Sequence, residues 1–65
     1  MKGKTLNELL ITIMANPQVT DWNIEVYSNQ CFNETSGTVE FTLNNGTQVT
    51  CYIGDGNICT RVDIE

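Results

Sequence analysis

The chain of 65 residues has no histidine and only three basic residues. Without histidine, no side chain titrates near neutral pH at its ordinary pKa, so the usual proton shuttle of an enzyme is missing. Two of the cations, Lys2 and Lys4, stand together at the start, which leaves Arg61 alone against eight acids in the remainder. A body of that sign repels phosphate, and direct binding to nucleic acid or to an anionic membrane is excluded. Long apolar runs are also absent. The best stretch, Leu9 to Ala15, is interrupted by Thr12 and too short for a membrane span or a secretion signal, so a cytoplasmic location is expected.

Cysteine is present in an odd number: Cys31, Cys51 and Cys59, with no C-x-x-C spacing. Three thiols without histidine lack the fourth ligand of a structural zinc site, and a disulfide framework would leave one over. Free thiols, no metal and no cofactor are therefore expected. The G-x-G at Gly54-Asp55-Gly56 leads into a strand pattern instead of a helix, which makes it a turn and not a phosphate loop. Cys59 has Arg61 nearby but no base to activate it. A catalytic role has no residues to carry it, and the chain is read as a non-enzyme.

The sequence is much more explicit about its fold. Thr5 and Glu8 form a T-x-x-E capping box, and Leu6, Leu9, Leu10, Ile13 and Met14 follow at helical spacing as one apolar stripe. Asn16 before Pro17 ends the helix, because a residue preceding proline is pushed out of the α region. From Asp21 the period changes to two. Trp22, Ile24 and Val26 alternate with Asn23, Glu25 and Tyr27 in a first strand. Ser28 to Ser36 reads as a wide polar connection, with Phe32 expected to fold back onto the core or, alternatively, to offer an aromatic contact to a partner.

Val39, Phe41 and Leu43 mark the inner face of a second strand. A three-residue loop at Asn44-Asn45-Gly46 sets Leu43 against Thr47, Phe41 against Val49 and Val39 against Cys51, keeping apolar with apolar. A two-residue turn at Asp55-Gly56 predicts Ile53 against Ile58, Cys51 against Thr60 and Val49 against Val62. The expected class is α+β: one N-terminal helix packed on an antiparallel β-meander of three or four strands, in a single domain spanning residues 1–65.

These registers also predict the solvent face. Glu25, Tyr27, Thr38, Glu40, Thr42, Gln48, Thr50, Tyr52, Cys59, Arg61, Asp63 and Glu65 point outward, with Glu40, Thr50 and Arg61 in one row. The candidate partner-binding residues are Glu25, Tyr27, Glu40, Tyr52, Asp63 and Glu65. A flat acidic face of this kind fits a basic protein surface, where it competes with nucleic acid by the same electrostatics that hold the nucleic acid.

Size, acidity, the helix-then-meander order and the lack of catalytic groups resemble the small phage-encoded anti-CRISPR proteins, inhibitors of type I surveillance complexes in particular. The resemblance implies a mobile-element protein of the bacterial host cytosol, a DNA mimic that binds a CRISPR surveillance complex and blocks target DNA; the chain itself is expected to be monomeric. A small acidic adaptor or assembly module of a phage or mobile element, pairing through a sheet edge, is the alternative.

One prediction needs no structure. Chelator and reductant are expected to leave the thermal midpoint of unfolding in place; a fall of more than about 10 °C, several kcal/mol in a domain of this size, would show that metal or a disulfide holds the fold.

Overall fold

A computed structural model describes residues 1–29, 31–32 and 34–65. The helix α1 runs Leu6–Ala15, and the strands are β1 (Val19–Asn29), β2 (Glu34–Leu43), β3 (Gln48–Gly54) and β4 (Ile58–Ile64). They form one antiparallel sheet in the order β1-β2-β3-β4, the expected meander in its four-stranded form.

The capping box forms as read. Thr5 Oγ1 accepts from the Glu8 N–H at 3.2 Å, and Glu8 Oε1 accepts from the Thr5 N–H at 3.2 Å. The Thr5 N–H, and after it the Thr5 hydroxyl donating to the same Glu8 Oε1 at 3.0 Å, lower the Glu8 pKa. Asn16 ends the helix in extended geometry, with ψ 112°. The stripe is narrower than expected. Leu9 and Ile13 are buried and Leu6 and Leu10 half-buried, but Met14 is 73% exposed. Burial follows the i,i+4 ridge of Leu9 and Ile13; Met14 lies about 100° around the helix from Ile13, in the last turn.

The core joins Leu9 and Ile13 to Val39, Phe41, Val49, Cys51, Ile53 and Cys59 of the sheet. The first hairpin has the predicted register: Phe41 opposes Val49 and Val39 opposes Cys51, and Leu43 N–H donates to the Thr47 carbonyl at 2.8 Å. The loop turns on Gly46 at φ 89°.

The second turn departs from its reading. Gly54 pairs with Ile58, so the loop holds Asp55, Gly56 and Asn57, the last two both at positive φ (79° and 58°). Ile53 opposes Cys59, Cys51 opposes Val62 and Val49 opposes Ile64, and Thr60 is left over as a bulge. The extra loop residue and the extra strand residue reverse the phase twice. Arg61 and Asp63 thus stay on the outer face as expected, whereas Cys59, expected outside, is 1% exposed and part of the core.

A second bulge lies at Thr20, between the pairs Val19–Leu43 and Asp21–Thr42. Each bulged threonine donates its hydroxyl across the sheet at 3.3 Å, Thr20 to the Thr42 carbonyl and Thr60 to the Tyr52 carbonyl. The side chain thereby supplies a donor where the ladder skips a residue.

The expected wide connection after Ser28 is instead mostly strand. Tyr27–Ser36, Ser28–Thr35 and Asn29–Glu34 continue the β1–β2 pairing beyond the last β2–β3 pair, Gly37–Ile53. This stretch projects as a two-stranded ribbon, and the molecule is elongated at 40 × 21 × 18 Å. It looked like a loop because neither of its faces meets a core, so apolar alternation is absent. Phe32 at its tip is 71% exposed and does not fold back. Trp22 opposes Phe41 on the helix side as predicted, yet remains 50% exposed at the sheet margin.

Gly37 sits where the ribbon leaves the sheet, at φ 152°. A Cβ there would fall on the Glu25 carbonyl oxygen and within 2.6 Å of Val26 Cα, both backbone atoms that cannot step aside. At Gly46 a Cβ would meet nothing within 4 Å. Gly46→Ala is therefore expected to cost about 1 kcal/mol from positive φ alone. Gly37→Ala is expected to cost about 3 kcal/mol or more, because strand must separate from strand. Denaturant titration of the two variants checks the order.

Candidate functional site

The outer face of the sheet, opposite α1, is built by rows that the registers fix. Asp21, Thr42, Gln48 and Glu65 form the first; Asn23, Glu40, Thr50 and Asp63 the second; Glu25, Thr38, Tyr52 and Arg61 the third. Glu65 belongs to the first row because Gln48 and Glu65 exchange both backbone bonds, at 2.9 and 2.8 Å. Five carboxylates and one guanidinium thus share a surface three rows deep and four strands wide. Neighbouring strands are about 4.8 Å apart and like-facing residues along a strand about 6.8 Å.

Of the residues predicted for this site, Glu25, Glu40, Asp63 and Glu65 all lie on it, as does Tyr52. Tyr27 opposes Ser36 one row farther on, in the ribbon, and is 70% exposed. Asp21 completes the first row and was missed. It has the same parity as Asn23 and Glu25, so extending the strand pattern back by one residue would have found it.

Arg61 is not in Glu40's row as expected. The Thr60 bulge sets it opposite Tyr52, with its guanidinium 4.3 Å from the ring centroid and its Nη2 donating to Asp63 Oδ2 at 2.8 Å. The Asp63 bond, then Tyr52, raises its pKa further. The single cation of this face is therefore occupied by Asp63 and the ring. Asp21, Glu25, Glu40 and Glu65 have no cationic partner among the described residues.

Between Asp21 and Glu40 the face is shallowly concave, lined by Asp21, Trp22, Asn23, Glu40, Phe41, Thr42 and Gln48. Of the other three acids, Glu34 lies in the ribbon, Glu8 closes the capping box, and Asp55 Oδ1 accepts from the Thr35 N–H at 3.0 Å, tying the β3–β4 turn to the ribbon.

Among the described residues no group of three or more potential ligands is placed to hold a metal ion. The cysteines are unpaired, with Cys31 exposed and Cys51 and Cys59 buried. Burial, and after it the neighbouring Cys59, pushes the Cys51 thiol up to about 11. Among the described residues no helix is long and apolar enough to cross a membrane. Compared with known protein families, curated proteins and solved structures, the chain has no significant match.

The positions of the three thiols give a direct check on the β3–β4 register. In the native protein at neutral pH, a thiol reagent is expected to modify Cys31 rapidly and Cys51 and Cys59 only on unfolding. Rapid modification of a second thiol, mapped to Cys59, would restore the outward placement of that residue.

Proposed function

We propose that the chain is an inhibitor acting by occupancy, whose outer sheet face seats in a basic groove built for nucleic acid and keeps the nucleic acid out. The observation that carries this reading is the segregation of charge. Five of the eight acids are gathered on one face by the strand registers, while Lys2 and Lys4 lie in the segment before α1. The opposite side of the sheet holds the core, so the acids of these strands must stand outward; what marks the face is that Asp21, Glu25, Glu40 and Glu65 share it with no cation beside them among the described residues.

The spacing supports the same reading. Diagonal neighbours such as Asp21 and Glu40, or Glu40 and Glu25, are about 7–8 Å apart across adjacent strands. A DNA strand presents one charge per 3.4 Å of axis, so charges a few ångströms apart on a rigid surface can meet lysines and arginines arranged for phosphates. Rigidity matters here. Asp21, Glu25, Glu40 and Asp63 are on strands and Glu65 is tied to Gln48 by two backbone bonds, so no loop has to be ordered on binding.

The partner class follows from the sign of the face and from the resemblance to the anti-CRISPR proteins: the DNA-binding groove of a type I surveillance complex in a bacterial cytosol, with target DNA as the competitor. Neither catalysis nor a cofactor has a part in the mechanism. Affinity comes from charge complementarity and the release of counterions, and it falls as salt rises.

Glu40 and Glu65 are suitable probes, because neither side chain has a hydrogen bond or ion pair among the described residues. Glu40→Lys with Glu65→Lys is expected to change folding stability by no more than about 0.5 kcal/mol per site. The same pair is expected to weaken competition with target DNA for a purified type I complex by about a hundredfold or more at low salt. Binding that survives the double reversal and ignores salt would end this reading.

A further inference from the structure

The two edges of the sheet differ. On β4 the segment before α1 lies along the first part of the edge: Gly3 N–H donates to the Cys59 carbonyl at 2.8 Å, and Cys59 N–H to the Lys4 carbonyl at 2.8 Å. On β1 no such cover exists among the described residues, although this is the longest strand, at 11 residues.

Which β1 groups are open follows from the alternation of the ladder. Leu43 N–H turns toward β3, to Thr47, and Asn44 N–H turns toward β1, to Gln18. Even-numbered residues of β2 thus direct their backbone to β1. Their partners Asp21, Asn23, Glu25 and Tyr27 are engaged, and Trp22, Ile24, Val26 and Ser28 turn theirs outward. One of these is already capped, because Trp22 N–H donates to Asp21 Oδ1 at 2.9 Å. The fully open stretch is Ile24, Val26 and Ser28, and it is symmetric about Val26.

We propose that β1 pairs with β1 of a second copy of this chain, antiparallel about a two-fold axis at Val26, giving a continuous eight-stranded sheet. In this register Val26 opposes Val26, Ile24 opposes Ser28 of the second copy, and Glu25 opposes Tyr27 of the second copy. All three open residues find hydrogen-bonding partners, and no like charges face each other. Other axes conflict with the observed side chains. An axis at Glu25 sets Glu25 against itself, and one at Asn23 sets Asp21 against Glu25. An axis at Ile24 needs the Trp22 N–H that Asp21 holds, and one at Tyr27 carries Ile24 past Asn29 and out of the pairing.

Residues opposed in an antiparallel pair point to the same side, so the two acidic faces lie side by side. Each copy carries net −5, and the copies repel. The dimer is therefore expected to tighten as salt rises, opposite to the salt dependence of the acidic face with a basic partner. Dimerisation does not depend on what that face binds, and either reading can fail alone.

Sedimentation over a concentration series at low and high salt tests it. The expected result is a rise from 7.3 kDa toward twice that mass, at lower concentration in high salt. Val26→Pro removes an outward N–H, which the β1–β2 ladder does not use, and is expected to hold the chain monomeric. If that variant unfolds, cross-linking decides. In a Cys31→Ser background, Val26→Cys is expected to oxidise to a disulfide dimer, as is the pair Ile24→Cys with Ser28→Cys, since opposed Cα atoms about 5.5 Å apart suit a disulfide. Ile24→Cys alone and Glu40→Cys are expected to form no disulfide between copies. A chain that remains monomeric at every concentration and salt overturns the proposal, as does cross-linking no better at Val26 than at Glu40.

Discussion

The phase of the strand alternation is the constraint on which the other features depend. A strand sorts its residues between two faces with a period of two, and one extra residue sends everything beyond it to the wrong side. This chain contains two such residues, Thr20 and Thr60, each beside a turn or strand end that needs correcting. At Thr60 the bulge follows a loop one residue longer than a two-residue turn. Together they return Val62 to the core side and Arg61 and Asp63 to the outer side.

That sorting lets so short a chain carry both a core and a charged surface. The core is two residues of a helix against six of a sheet, two of them cysteines. A buried thiol is a small, nearly apolar filler, and Cys51 and Cys59 are among the most deeply buried side chains. Glu40 and Asp63 stand on the other side of strands that carry this core, and Asp21 and Glu25 on a strand paired to it, so the face inherits the core's rigidity. Gly37 has a comparable role at the boundary between sheet and ribbon, where it lets two strands approach more closely than any side chain would permit.

Much of this was legible in the sequence, for physical reasons that also explain the remainder. The helix, its cap and its end were readable because capping and the effect of proline act over a few residues. The Asn44-Asn45-Gly46 register was readable because both flanks alternate cleanly. The Asp55-Gly56 turn misled because the pairing of Ile53 with Ile58 satisfied the inner face as well as the true pairing does. Nothing in the letters marks Thr60 as a bulge; its hydroxyl bond to the Tyr52 carbonyl exists only once β3 is beside it. The site was legible in the same measure. Glu25, Glu40, Asp63 and Glu65 were found by parity, whereas the neighbour of Arg61 depended on the bulge and came out as Tyr52 and Asp63 instead of Glu40. Phe32 and Met14 were assigned to a core that does not extend that far.

The clasp between the segment before α1 and the start of β4 has a consequence in time. A meander zips by closing short loops between consecutive strands, and each hairpin can form as a local event. The bridge between Thr5 and Ile58 is different, because it joins residues more than fifty positions apart. The entropy of closing so long a loop is recovered only once β3 and β4 are aligned and Cys59 has reached the inner face. Until then Leu9 and Ile13 have only part of their docking surface. Loop-closure entropy therefore favours docking of the helix after the sheet, so the expected slow step in folding is the arrival of an element that comes first in the chain.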